Sequence, residues 1–138
     1  MAVIGYLVDR SVLARLDKPP VLAALQPFVG RLATCSAVSL ELRWSATSAD
    51  HYRQIMDDLA WYQALEIAPS TLDLAGALQA ALVRRGHHRG PGVADLILAA
   101  TAIAHEAVLL HYDHDFDLIA EADPRLAHRW IVPRGTVD

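Results

Sequence analysis

Val3-Ile4-Gly5-Tyr6-Leu7-Val8-Asp9-Arg10-Ser11 begins as a β-branched and aromatic apolar run and closes on a carboxylate followed by two polar residues. Such a run predicts a buried strand, with Asp9 at its carboxyl end. Ser11 is a candidate N-cap for a short helix through Leu16. The pattern returns late in the chain, where Val108-Leu109-Leu110-His111-Tyr112 runs into Asp113. Open α/β sheets place ligand sites beyond the carboxyl ends of their strands, so Asp9 and Asp113 are expected at one such site.

The segments between these two runs alternate in type. Pro19-Pro20 ends the first helix and starts another, in which Val21, Leu22, Leu25 and Phe28 recur at helical spacing up to Gly30. Leu32 to Ser36 reads as a buried strand. Ser39 is a cap for a helix carrying Leu40, Glu41 and Trp44, and Asp50 to Leu65 continues as amphipathic helix. Leu65-Glu66-Ile67 is short enough to be an extra strand. Pro69 starts a helix that Gly86 stops, and Val93 to Ala107 is strongly helical, with Asp95 in its first turn. Val108 to Tyr112 is the next strand, Asp115 to Ile119 a short helix, and Trp130-Ile131-Val132 a late edge strand. Strands separated by helices predict a parallel sheet covered on both faces, an α/β fold.

At 138 residues, 54% hydrophobic and 20% charged, the chain suits one globular domain over 1–138. No internal repeat or linker divides it. The apolar stretches Leu72 to Val83 and Val93 to Leu110 are cut by Asp73, Gln79, Asp95, His105 and Glu106, so no membrane span is expected. The opening residues carry no basic region before the apolar run, which places the protein in the cytoplasm. Cys35 has no partner and reads as a small core residue. A net charge of -4 argues against coating nucleic acid through global positive charge, though a carboxylate site with bound cations still meets phosphate. Arg84-Arg85-Gly86-His87-His88-Arg89 is the one basic stretch. It reads equally as a solvated helix end complementing a dipole and as an RNA phosphate contact through Arg84, Arg85 and Arg89.

Taken singly, each acid has a plain reading. Asp9 would cap a helix, Asp95 would complement a dipole, Asp113 would start the Asp115 helix, and Glu41 would be a solvated position between Leu40 and Leu42. Convergence changes this. Two carboxylates about 4 Å apart repel by about 4 kcal/mol at an effective dielectric near 20, so four together require protons or cations. Hard oxygen ligands with no His or Cys at matching positions favour Mg²⁺ or Mn²⁺ over zinc. Such a centre activates water against a phosphodiester, leaving 5′-phosphate and 3′-hydroxyl ends. His87, His88, His105, His111 and His114 form no close ligand pattern and read as surface or packing residues. Trp44, Trp61, Tyr52 and Tyr62 suit core or dimer packing before base stacking.

The order of motifs resembles the PIN-domain proteins, in particular the VapC toxins of bacterial toxin–antitoxin pairs. Tyr6 to Leu16 resembles the family's opening, Ser36-Ala37-Val38-Ser39-Leu40-Glu41-Leu42 its segment with a helical glutamate, Gly92 to Ala102 its third acidic motif, and Tyr112-Asp113-His114-Asp115-Phe116 its fourth. The resemblance implies a PIN-like three-layer α/β/α fold with a parallel central sheet of four to five strands. It implies a metal-dependent endoribonuclease whose Asp9, Glu41, Asp95 and Asp113 hold Mg²⁺ or Mn²⁺, with Asp115 as an additional acid and Ser11 as an orienting hydroxyl. Arg10 departs from the small residue more usual between the aspartate and serine. The implied partners are an RNA substrate, a VapB-type antitoxin and a second copy of the chain, with no membrane. An antitoxin tail carrying a cation would reach the acidic pocket.

Two rivals stay in view. An aspartate-based phosphotransfer domain would want a second acid two residues after Asp9, where Ser11 stands, and a lysine near a late strand, whereas the only lysine is Lys18. A non-catalytic PIN module acting through protein binding would leave RNA intact.

Overall fold

Tyr6–Val8 forms β1, the centre of a five-stranded parallel sheet ordered β3-β2-β1-β4-β5, with β2 at Leu32–Thr34, β3 at Gln63–Ala64, β4 at Val108–His111 and β5 at His128–Trp130. The structure is a computed structural model that describes residues 5–138, so Val3 and Ile4 lie outside the described residues. Among the described residues, seven α-helices connect or flank the strands: α1 (Arg10–Leu13), α2 (Pro19–Leu25), α3 (Ser36–Trp44), α4 (Ala49–Leu59), α5 (Pro69–Arg84), α6 (Val93–Ala104) and α7 (Asp115–Ala122). The expected α/β architecture, with four to five parallel strands, is what the chain adopts.

Strand periodicity builds the layers. Leu7 and Leu109 point to one face and join Val38, Leu78, Leu82, Leu98, Phe116 and Ile119 from α3, α5, α6 and α7. Val8 and Leu110, one residue on, point to the other face and meet Val12, Val21 and Leu25 of α1 and α2. Both strands are therefore apolar toward both faces, with the buried His111 at the end of β4 the exception, as a sheet covered on two sides demands. Leu98, Ala99, Ala100, Thr101 and Ala102 are each at most 1% exposed, because small side chains let α6 lie close against its neighbours. Truncating Phe116 or Leu109 to alanine would cost about 2–5 kcal/mol in lost transfer energy and residual cavity.

The chain leaves β1 toward β2 on one side and later returns to β4 on the other. Tyr6, Leu7 and Val8 pair in register with Val108, Leu109 and Leu110. The strand order thus reverses between β1 and β4, and the crevice beyond their carboxyl ends is where this sheet opens to a ligand.

Several boundaries differ from the sequence expectation. Helix α3 begins at Ser36, capped in position by Cys35, so Ser39 lies inside it and the predicted strand stops at Thr34. Cys35 is buried, as a small core residue should be. Helix α4 stops at Leu59, and the extra strand falls on Gln63–Ala64. β5 is His128–Trp130, while Ile131 and Val132 continue past it to fill the core on the α1 and α2 side. Among the described residues no helix is long and apolar enough to cross a membrane.

Candidate metal centre

Asp9 follows β1 directly and is 4% exposed. It, and not Ser11, is the N-cap of α1: its Oδ2 accepts the Ser11 N–H at 3.0 Å and the Ser11 hydroxyl at 2.5 Å. The Ser11 oxygen in turn accepts the Tyr112 N–H at 2.8 Å, beyond the end of β4. Capping and orienting are therefore one arrangement: a serine two residues after the aspartate ties the two central strand ends together.

The remaining acids arrive from other elements. Glu41 sits mid-way along α3. Asp95 lies in the first turn of α6, where its Oδ2 accepts the Gly92 N–H at 3.0 Å and so closes the helix N-terminus. Asp113 is in the loop after β4, and its Oδ1 accepts the N–H of Asp115, the first residue of α7, at 2.9 Å. One carboxylate oxygen from each of Asp95, Asp113 and Asp115 falls within 4.8 Å of the others. Asp9 stands outside this tight group but acts on Asp95 through charge, and Glu41 is coupled in turn to Asp9.

That coupling appears in the acidities. Burial pushes Asp95 up to about 7, and the charges of Asp9, Asp113 and Asp115 push the same way against the Gly92 hydrogen bond. Burial raises Asp9 above its ordinary value despite the Ser11 bonds, with Asp113 adding. Glu41 is raised by burial and then by Asp9, with Arg10 opposing. Asp115 is raised by burial and then by Asp113. The five acids thus share one field. Asp9, Glu41, Asp95 and Asp115 are each shifted toward the protonated form, Asp113 supplies charge to three of them, and a cation would oppose those shifts.

A divalent ion fits this donor set. The group offers only carboxylate oxygens, with spacings an oxygen-coordinated ion and its waters can span, and no imidazole or thiolate joins it among the described residues.

The loop that ends the basic stretch comes close to the acids at Gly90. Arg84 and Arg85 are exposed at the end of α5, and Arg85 pairs with Glu121 at 3.8 Å. A methyl group on Gly90 would lie 3.5 Å from Asp115 Oδ1 and 3.2 Å from Leu118, so the loop bearing Arg89 runs beside the acids. On the other side, Arg10, Leu40, Glu41 and Trp44 line a shallow cavity. Trp44 is 87% exposed and Trp61 89%, so of the core and dimer packing their spacing suggests, neither takes the core place.

A second cluster was invisible in the sequence. His111, Asp117 and His128 bring ligand atoms within 4.8 Å of one another, and His111 is fully buried. They come from β4, α7 and β5, and only strand register joins them.

The PIN domain model matches residues 6–122. The chain belongs to the PIN-domain family. It is 37% identical over 135 residues to the ribonuclease VapC51 of Mycobacterium tuberculosis, covering 96% of this chain and 97% of that one. The ribonuclease VapC21 of the same species is 34% identical over 145 residues, covering 95% and 96%. Among solved structures, VapBC2 from Rickettsia felis bound to a promoter DNA fragment superposes with a TM-score of 0.76 at 20% identity, over 91% of this chain and 98% of that one. DNA-bound VapBC from Salmonella typhimurium gives 0.74 at 14% identity, over 94% and 100%. These structures share the PIN fold with this chain.

Proposed function

We propose that this PIN domain, read as one unit over 1–138, is a metal-dependent endoribonuclease of the VapC kind, the toxin of a toxin–antitoxin pair acting in the cytoplasm. The observation that carries the site is the convergence of Asp95, Asp113 and Asp115 oxygens within 4.8 Å of one another at the crevice between β1 and β4, where Ser11 holds Asp9 and Asp9 is coupled to Glu41. The relatives' names support ribonuclease activity, and the VapBC complexes support a VapB-type antitoxin.

Asp9, Glu41, Asp95 and Asp113, with Asp115, would hold Mg²⁺ or Mn²⁺. When bound, that ion would polarise the phosphodiester and lower the pKa of attacking water. The chain's own residues do the positioning. Ser11 fixes Asp9 in one rotamer, Gly92 holds one oxygen of Asp95, and the Asp115 N–H holds one oxygen of Asp113, so each carboxylate presents its other oxygen without an ordering cost at the moment of binding. Arg89 and Arg84 on one rim and Arg10 on the other offer cations to the RNA backbone on either side of an acidic floor.

Exposed apolar surface supports the protein partners. Leu22, Val29, Trp61 and Tyr62 line an apolar groove beside α2 that an antitoxin segment would cover, and further exposed side chains such as Leu72 and Val83 on α5 suit a second copy of the chain.

The decisive experiment incubates the chain and its Asp9→Asn variant with a mixed RNA pool and Mg²⁺ or Mn²⁺. Cleavage by the parent alone, with 5′-phosphate and 3′-hydroxyl ends, is expected. Equal survival of the pool with both proteins overturns the enzyme reading and favours the binding module.

A further inference from the structure

The buried imidazole of His111 has a contact on each nitrogen. Its Nδ1 lies 3.2 Å from the backbone nitrogen of Asp113, which donates to it, and its Nε2 lies 2.9 Å from His128 Nδ1. A neutral imidazole has one donor and one acceptor nitrogen. Since Nδ1 accepts, the proton resides on Nε2 and points at His128. Around it the ring is fixed by Phe116 at 5.0 Å, the stacked His128 at 5.1 Å and Trp130 at 5.1 Å between centroids.

This geometry argues against a transition metal among His111, Asp117 and His128. A histidine that ligates through Nε2 carries its proton on Nδ1 and donates it outward, whereas here Nδ1 faces an N–H. Asp117 is also engaged, accepting from Trp130 Nε1 at 3.0 Å and contacting His114 Nδ1 at 3.1 Å.

We infer that His111 is a positioning residue for the acidic centre: its Nδ1 anchors the Asp113 backbone and thereby sets where the Asp113 and Asp115 carboxylates stand. The inference rests on reading those acids as the metal centre. Asp113 is held twice, by its N–H on His111 and by its Oδ1 on the Asp115 N–H, so the short loop from β4 to α7 is fixed at both ends. Removing the first anchor frees the hinge on which both carboxylates turn.

Three variants separate positioning from packing. Asparagine places an oxygen where Nδ1 was and accepts an N–H two residues on, as in an Asx turn. Glutamine offers its polar end near Nε2, and leucine best refills the volume. A packing role ranks leucine first, whereas anchoring ranks asparagine first. Mn²⁺ titrations without RNA should find His111→Asn within about threefold of the parent and His111→Leu and His111→Gln weaker by about tenfold or more. Asp113 amide exchange in metal-free protein should be slow in the parent and His111→Asn and fast in the other two. Ring ¹⁵N shifts of metal-free parent should show Nε2 protonated. Leucine matching or exceeding asparagine, or a proton on Nδ1, overturns the inference. A parent that takes up no Mn²⁺ instead overturns the metal reading, and the ring tautomer and amide exchange still decide the anchoring.

Discussion

The Ser11 hydroxyl donates to Asp9 Oδ2 and accepts the Tyr112 N–H, so one oxygen atom joins the carboxyl ends of β1 and β4 at the point where the sheet opens. Ser11→Ala removes a donor to a nearly buried carboxylate and orphans a backbone N–H. Urea unfolding of the metal-free variant should show a loss of about 1–3 kcal/mol. Mn²⁺ affinity should fall roughly tenfold because Asp9 is no longer held in one orientation. Ser11→Thr keeps the hydroxyl and should recover most of both. Unchanged affinity in the alanine variant would reduce Ser11 to a helix-start residue.

Acid and histidine titrations oppose one another in the metal-free protein. Asp95 is raised in the folded state to about 7, so its contribution to stability is present at low pH and lost as pH rises through 7. His111 is lowered in the folded state to about 4, so acidification below its unfolded value of 6.5 favours the unfolded chain. Between pH 8 and 5.5 the two changes are opposite in sign and comparable, on the order of 1–2 kcal/mol each. Asp9, Glu41 and Asp115 are raised as well, so denaturant midpoints of the parent in EDTA should rise on acidification. Asp95→Asn should rise less over the same interval, since one raised acid no longer opposes the histidine. A parent and variant with parallel pH profiles would refute the shared field.

Asp115 and Asp117 are two residues apart on α7, yet they face different surroundings. Asp115 belongs to the group within 4.8 Å, while Asp117 accepts from Trp130. Asp115→Asn should weaken Mn²⁺ binding by about tenfold, and Asp117→Asn should stay within about threefold. Calorimetric titration of both variants tests this, and equal losses would show that α7 supports the site only as a unit.

What the sequence disclosed follows from how local each signal is. β1 and β4 are buried on both faces and write themselves as apolar runs, and the acids that end them stand out against that background. β3 is Gln63–Ala64, exposed on both residues, and β5 is His128–Trp130, half-exposed; such edges carry no apolar pattern. Ile131-Val132 looks more like a strand than His128–Trp130 because it is more apolar, but its side chains are buried by packing under α1 and α2, and the Ile131 N–H still donates to the His111 carbonyl of β4 at 2.8 Å. Helix α3 starts early because Cys35 supplies an extended backbone at the cap position without any capping side chain. The four acids and Ser11 were legible as types at spacings. The contact of His111 with His128 spans 17 residues and arises only when β4 and β5 pair, so no spacing rule could find it.

Trp44 stands one helical turn beyond Glu41 on α3, exposed, and shares a shallow cavity with Glu41 and Arg10. An indole with its face in water beside an acidic centre and a guanidinium suits a nucleotide whose base stacks while its phosphate meets the cation. Trp44→Ala should raise KM for RNA cleavage by roughly 5- to 100-fold, corresponding to about 1–3 kcal/mol of stacking, with kcat nearly unchanged. Arg89→Ala should instead lower the slope of log affinity against log salt by about one, because a phosphate contact releases counterions and a stacking contact does not. Light scattering on the same Trp44→Ala protein supplies the opposing outcome. If the variant loses self-association while its KM stays at the parent value, the indole belongs to the interface between two copies of the chain, and base recognition must be sought on the Arg89 side of the crevice.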